Sequence, residues 1–583
     1  MVRWRARAEG QGGQARTVAR TMLGWTFAAC VFAVAAGEGD IPGARMTPAP
    51  ERGPDEGPVA EIARMKRLDG MQAVADAQGN VTAAWIEGAA VHAVRRDAAR
   101  DAWSGAVRIG PEPTASGQLS FNLQVAADAV GTAFVAWMQD TSTGRHVFVA
   151  RRVAGQVAWQ AAQRVTRADK SLQADVHELV LLVAPDGDAT AIWSEIVDTQ
   201  PSAVRALSSS VVPQRRHALQ AARFDAAREC WSAPIPVDPR RTGGYGFGVS
   251  TPPAAAMDGD GNVTVAWNDQ VVDRPFLLAA RIRNELKTSR FDVRDGRWEK
   301  PQVLARCANA IACSPWLRSG ADGTIWAAWS EVTAPPIDRD VFVARRAPQD
   351  RRWSQPLRLT DCRQDDCGGD PSDLDTTPSG GVAIRWALGD RTAGAWLPES
   401  AGAWHPLPVT PWPVRIGWLE DDARLFVIGG SEFDAAGEWN SAGALMHYAA
   451  GADRPKSQEW RADATPPLTL PVGFVQYDRW RMRAFRLGGI RAVVSAGRFA
   501  PPRTQRRGRD DGRFQVVLNR YDTVAGRWLA PTVVDEVGIS GNALLGSDPG
   551  GVIPLATTPR AAVILWWHED AHGLVLKSAD YRF

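Results

Sequence analysis

One pattern in this sequence has the look of catalytic chemistry: His568-Glu569-Asp570-Ala571-His572, two imidazoles four residues apart around a glutamate. Such a pair binds zinc when both residues lie on one helical face, where the i, i+4 spacing aims both rings at one metal and leaves the glutamate as base. Here the stretch follows Trp566-Trp567 at the end of an apolar run and reads as a loop after a strand. The match is a coincidence of spelling, and no metal or other cofactor is expected. Asp258-Gly259-Asp260-Gly261-Asn262 opens like a calcium loop but lacks the bidentate glutamate further on, so it reads as a hairpin turn.

A second set of residues is defined by position. Two residues after a strand-ending tryptophan or its equivalent, the chain carries Glu87, Gln139, Glu195, Asp269, Glu331 and Glu569. In a repeated fold this spacing places a ring of mostly acidic side chains on one rim. The ring is either a ligand face or a set of solvated carboxylates that salt-bridge neighbouring units, and exposed charge is more often the second. Loop length favours a functional face, because loops beyond about 12 residues are uncommon without a role. Ile196 to His217, Asp238 to Pro253 and the Cys362 to Cys367 region all fall on this rim.

The cysteines suggest bridges, not catalysis. Cys307 with Cys313, and Cys362 with Cys367, are close local pairs that an oxidising compartment would turn into loop-stapling disulfides. Cys230, just before Trp231, reads as a small buried hydrophobe.

The elements that must position these residues recur along the chain. Each unit has an apolar stretch, an Asp-x-x-Gly turn, a strand ending in Trp, a loop, a strand ending in basic residues, then Gly-x-Trp-x-x-Pro. Val74 to Trp85 and Met257 to Trp267 are the clearest first halves, and others end at Trp137, Trp193, Trp329 and Trp386. Val147 to Arg152 before Trp159, and Val341 to Arg346 before Trp353, are second halves. With weaker copies near Leu425, Val493 and Val563, nine units are counted. Four antiparallel strands cannot bury both faces alone, and such units stacked around an axis give an all-β propeller of four-stranded blades. Eight or nine blades follow, or two smaller propellers. The last unit runs out at Phe583 before a fourth strand, and Ala60 to Leu68 is placed to supply it.

The turns before the fourth strands, Arg294-Asp295-Gly296-Arg297-Trp298 and Thr523-Val524-Ala525-Gly526-Arg527-Trp528, resemble degenerate Asp-boxes of the sialidase-type (BNR) propellers. The resemblance covers most of Leu68 to Phe583 and implies a blade architecture with ligands on the face opposite these turns. Most Asp-box serines and aspartates are replaced, as at Gly155-Gln156-Val157-Ala158-Trp159. Sialidase catalysis would need an arginine cluster and a tyrosine nucleophile with a partner glutamate. Tyrosine occurs only at positions 245, 448, 477, 521 and 581, and no Arg-Ile-Pro segment precedes the first clear unit.

The ends and the composition set the context. Five arginines up to Arg20, an apolar run from Met22 to Ala36 and Ala33-Val34-Ala35 read as a secretory signal over residues 1–36. A second reading makes Cys30, after Phe27-Ala28-Ala29, the lipidated start of a lipoprotein. Residues 37–60 are a Pro/Gly-rich linker and 61–583 the propeller. A net charge of +2 over 583 residues provides no field for gathering nucleic acid. The expectation is an exported, periplasmic or surface propeller that binds a protein or glycan without catalysis and does not span the membrane. The alternatives are a sialidase-type glycoside hydrolase and a structural envelope lipoprotein.

Overall fold

The computed structural model describes residues 57–112, 118–167, 176–199, 215–238, 252–273, 281–307, 313–334, 338–362, 369–377, 380–388, 391–398, 402–410, 414–421, 424–433, 439–447, 461–462, 474–475, 482–487, 490–499, 513–522, 525, 527–538, 550–558, 561–570 and 572–582. The signal segment, the linker up to Glu56, Cys30 and Cys367 lie outside the described residues.

The chain is an all-β propeller. Among the described residues, nine antiparallel sheets follow one another, each built on four strands ordered from the inside outwards, consecutive in the chain in all but the last, whose outer strand is Ala60–Met65. Their innermost strands begin with Gly70–Ala75, Ser120–Ala127 and Val176–Val183 and end with Gly550–Thr558. Each touches the next in chain order, and Gly550–Thr558 returns to touch Gly70–Ala75, so the contacts run through all nine sheets in a single cycle. The closure anticipated from the sequence is present: Ala60–Met65 pairs antiparallel with Gly573–Arg582, the last strand, from Ala60↔Ser578 to Met65↔Leu574.

The second strands explain why the repeats read as they do. In Val81–Glu87 every residue from Val81 to Ile86 is buried, because both faces of the sheet are covered by neighbouring sheets. The apolar clusters straddle adjacent sheets: Trp137 packs with Ala84 and Val91, and Val81 and Trp85 pack with Leu565 and Leu576. Alanines such as Ala83, Ala136 and Ala327 let sheets approach, and tryptophans such as Trp137, Trp193 and Trp329 fill the wider part.

The Asp-x-x-Gly turns are built by their aspartates. Asp258 Oδ1 accepts the backbone N–H groups of Asp260 (3.1 Å) and Asn262 (2.9 Å), while Gly261 takes φ of +79°. The second oxygen is tied to Arg290 at 2.7 Å, both side chains buried. Asp76 repeats the arrangement with Arg95. The calcium-like spelling at Asp258 is therefore a hairpin turn whose carboxylate is satisfied by backbone and guanidinium.

The basic ends of the third strands and the tryptophans of the fourth strands stitch sheets together. Arg151 reaches Glu229 of the next sheet at 2.7 Å and lies over Phe224, Arg346 reaches Glu299 of the preceding sheet, and Arg96 reaches Asp580 across the closure. Trp103 Nε1 donates to Ser578 Oγ at 2.9 Å and Trp353 Nε1 to Thr288 Oγ1 at 2.8 Å, each on the preceding sheet.

Candidate functional site

The acidic ring begins at the tryptophans. Alternation along a strand puts residues i and i+2 on the same side, so the residue two after each buried tryptophan stands beside its indole. Trp193 Nε1 donates to Glu195 at 3.2 Å, Trp329 Nε1 to Glu331 at 2.8 Å and Trp137 Nε1 to Gln139 at 3.0 Å. Sequence reading places these carboxylates in loops, but the strands run on past them: Ala189–Thr199, Val263–Asp273 and Ile325–Ala334 contain Glu195, Asp269 and Glu331. Burial raises the pKa of both Glu195 and Glu331 against the opposing indole bond. Asp269 pairs with Lys287, which also lies 3.8 Å from Glu285. Glu87 accepts the backbone N–H of Lys66 at 2.9 Å.

Glu569 stands apart from the others. Trp566, not Trp567, occupies the position of Trp85 and Trp193: it is fully buried, and it pairs with Lys577 as Trp267 pairs with Lys287. His568 is then the residue two further on, and Glu569 faces the other side of the strand. His568 is buried and stacks on Phe514, and burial lowers its pKa. The His568–Asp570 stretch is strand, within Ala561–Asp570, and His572 follows on the exposed turn. The helical geometry that the zinc pattern requires is absent there.

Cys307 and Cys313 form the anticipated disulfide, with Cα atoms 6.0 Å apart, and both are buried. Asn268, next to Trp267, accepts the N–H of Cys313 at 3.1 Å and docks the bridge onto the second strand. Cys362 donates its backbone N–H to Asp340 Oδ1 at 2.9 Å, and its partner in the expected pair lies outside the described residues. Cys230 is exposed, which corrects the buried reading: its short strand, Cys230–Trp231, is an outer edge where only Trp231 turns inward. Of the tyrosines, Tyr521 and Tyr581 are core residues, and 245, 448 and 477 lie outside the described residues.

A feature that sequence reading missed is a groove of 480 Å³ between the third and fourth sheets, at the end carrying the short turns. Ala221, Arg223, Phe291 and Trp298 line it, with Ile235 and Val293 at 40% and 37% exposure and Cys230 at its edge. Arg223 lies over Phe291 and reaches Asp188 at 3.3 Å; Arg228, also lining, is 3.5 Å from Asp225 with its side chain 81% exposed. No spacing or motif in the sequence marks it.

No family model matches this chain. No curated protein matches it. Among solved structures it is similar to polysaccharide lyase Uly1, at 11% identity over 82% of this chain and 91% of that one, with a TM-score of 0.35. It is similar to the β-propeller domain of the Trilobed protease from Pyrococcus furiosus, at 8% identity over 68% and 98% and a TM-score of 0.32. It is also similar to the α-L-arabinofuranosidase Arb93A from Fusarium graminearum, at 12% identity over 67% and 98% and a TM-score of 0.30.

Proposed function

We propose that this chain is an exported, non-catalytic propeller of sialidase-like type, with nine blades, that binds a protein or glycan through the face where second strands pass into third strands. The observation that carries the reading is the extension of three consecutive hairpins. Pairing continues past Trp193 to Thr199↔Arg215, past Trp267 to Asp273↔Arg281 and past Trp329 to Ala334↔Asp338, whereas in the first sheet it stops at Glu87↔Ala90. Backbone that projects beyond the core adds nothing to its burial and is where binding surfaces are built.

The non-catalytic reading is supported by how the carboxylates are used. Glu195 and Glu331 each hold an indole N–H on a separate sheet, and the described tyrosines are in the core. A glycoside hydrolase is the second reading, and the raised pKa of Glu195 and Glu331 favours it, since an acid catalyst needs a carboxyl that keeps its proton. A lipoprotein anchored at Cys30 would present the same face.

Glycan-array and surface-protein binding by the mature chain tests the proposal. Replacing residues 200–214 with a short Gly-Ser turn is expected to abolish binding, while Asp295→Lys on the opposite turns leaves it unchanged. The reverse result would invert the face, and release of free sugar from a bound glycan would favour the hydrolase.

A further inference from the structure

One row of the repeat changes chemistry in the fifth sheet. Three residues before the buried tryptophan of the second strand, the first four sheets place Thr82, Phe134, Thr190 and Thr264, each opposite an apolar residue of the inner strand. Opposite them on the third strand stand Arg95, Arg151, Arg223 and Arg290. All four arginines meet a carboxylate, Asp76, Glu229, Asp188 and Asp258 respectively, at 2.7 to 3.3 Å. Arg520, which stands at this place in the eighth sheet, donates to Thr532 Oγ1 at 3.1 Å.

In the fifth sheet the same row reads Arg318, Trp326, Arg345. Here the inner strand brings a second cation where the first four sheets have an apolar side chain, and the acid is lost. The turn that begins at Asp76 and at Asp258 begins in this sheet at Gly320. Arg345 lies over Trp326 at 5.8 Å, and Arg318 lies over Trp316 at 5.6 Å with a bond to the carbonyl of Leu317 at 3.2 Å. Neither guanidinium has a carboxylate partner among the described residues, and both arginines are exposed.

Residues directly opposite one another in antiparallel strands share a face, so the two arginines flank one indole on the side turned to the sixth sheet. Two strand spacings put their backbones about 10 Å apart. The sixth sheet answers with Leu374, Val382, Ile384 and Ala395, none of them charged, and with Trp404, which meets Trp326 edge-on at 6.0 Å. Trp316 and Trp404 are both partly exposed. Two like charges set side by side without a counter-charge oppose folding, and the other sheets show that the row packs without the inner arginine.

We propose that the row Arg318–Trp326–Arg345 binds an acidic sugar chain, one carboxylate on each guanidinium and a ring against the open parts of Trp316 or Trp404. A guanidinium takes a carboxylate through two parallel hydrogen bonds, and aromatic surface beside the cations suits the apolar face of a sugar ring better than an acidic peptide. The row adjoins the turn at Gly320, at the end of the sheets opposite the long-loop face, and stands independently of what that face binds.

The probes are hexagalacturonate, its neutral methyl ester and hexaglutamate, each titrated into the protein by calorimetry at low salt. Hexagalacturonate is expected to bind at least about tenfold more tightly than either of the others. Arg318→Gln and Arg345→Gln, on exposed side chains, are each expected to weaken it about tenfold or more, whereas Arg297→Gln, in the exposed turn of the fourth sheet, leaves it unchanged. Gly320→Asp returns to Arg345 the acid that the first and fourth sheets provide. An aspartate two residues before another already occurs at Asp258 and Asp260, and the nearest atom to an added Cβ is the end of the Asp322 side chain, at 2.8 Å. This variant is expected to keep or raise the melting temperature while weakening hexagalacturonate about tenfold or more. The proposal is overturned if hexagalacturonate does not bind, if its methyl ester or hexaglutamate binds as tightly, or if the two arginine variants bind as the unaltered protein does.

Discussion

Two glutamates that the sequence presents as part of a functional ring, Glu195 and Glu331, are, at the residue scale, also the acceptors that let tryptophans be buried. The second sheet contains its own control, since Gln139 does for Trp137 what Glu195 and Glu331 do for Trp193 and Trp329. A glutamine oxygen accepts as well as a carboxylate but carries no charge to desolvate. Glu195→Gln and Glu331→Gln are expected to leave stability at pH 7 equal or higher, whereas Glu331→Ala leaves a buried N–H unmatched and costs about 1 to 3 kcal/mol. Urea denaturation of the three variants checks this. The pH dependence has a definite sign. A carboxyl whose folded pKa is raised stabilises the fold when protonated and loses that contribution as pH rises through its folded value. The glutamine variants should lack this loss.

His146 works in the other direction. It is buried between Thr143 and Thr166, each hydroxyl 2.9 Å from a ring nitrogen, and burial, with Arg164 nearby, pushes its pKa down to about 4. The neutral ring fits the folded state and the unfolded chain takes the proton first, so stability is full above pH 6.5 and falls as the pH drops toward 4. The loss is on the order of 2 to 3 kcal/mol. His146→Gln is expected to flatten the difference between denaturation curves at pH 7.5 and 4.5; an unchanged slope would show that other groups carry it.

At the element scale, the strands and turns were legible in the sequence because each carries a local cause. The Asp-x-x-Gly turns are read from an aspartate whose oxygen accepts two backbone N–H groups and a glycine at positive φ, and the structure repeats that device at Asp76 and Asp258. The ring of acids was legible by position but not by role, since spacing alone does not show that a strand continues or that an indole points at the carboxylate. In the ninth sheet the reading slipped by one residue at Trp566-Trp567. A slip of one in a period of two changes the side of the sheet, and two adjacent tryptophans leave the sequence with no means of choosing. The packing chooses, because Trp567 lies across Gly551, where a Cβ would run into its ring. Gly551→Ala is therefore expected to cost about 1 to 3 kcal/mol, measurable as a fall in denaturation midpoint. Cys362 stands as far beyond Trp353 as Cys307 stands beyond Trp298, and its N–H is fixed by the fully buried Asp340. On that equivalence, non-reducing peptide mapping should find Cys362 joined to Cys367. A free thiol at either position in exported protein would refute the pairing.

At the scale of the whole molecule, the last sheet is completed by the first strand, so the two ends of the described chain are held by one hydrogen-bonded ladder. Ala60–Met65 brings Met65 into the cluster with Val81, Trp85 and Leu565, and Arg64 pairs with Asp570 at 2.9 Å. Further out, Gly57 N–H bonds to the carbonyl of Asp580 at 2.8 Å. Without this strand the edge Gly573–Arg582 would be left with unpaired backbone groups, and Leu576 would lose cover. Each sheet buries its faces only against its two neighbours, so a loss at the closure weakens the ninth and first sheets directly and the rest through them. A chain cut to begin at Arg67 is therefore expected to unfold at a midpoint lower by several degrees and to aggregate through the open edge. Supplying the strand another way separates loss of closure from mere shortening. A permuted chain in which residues 57–66 follow residue 583 through a flexible linker, with new ends between Lys66 and Arg67, keeps every residue from 57 to 583 and restores the ladder in the same register. It should recover the melting temperature of the unaltered protein; if it stays as unstable as the truncated chain, the closing strand does not hold the ring.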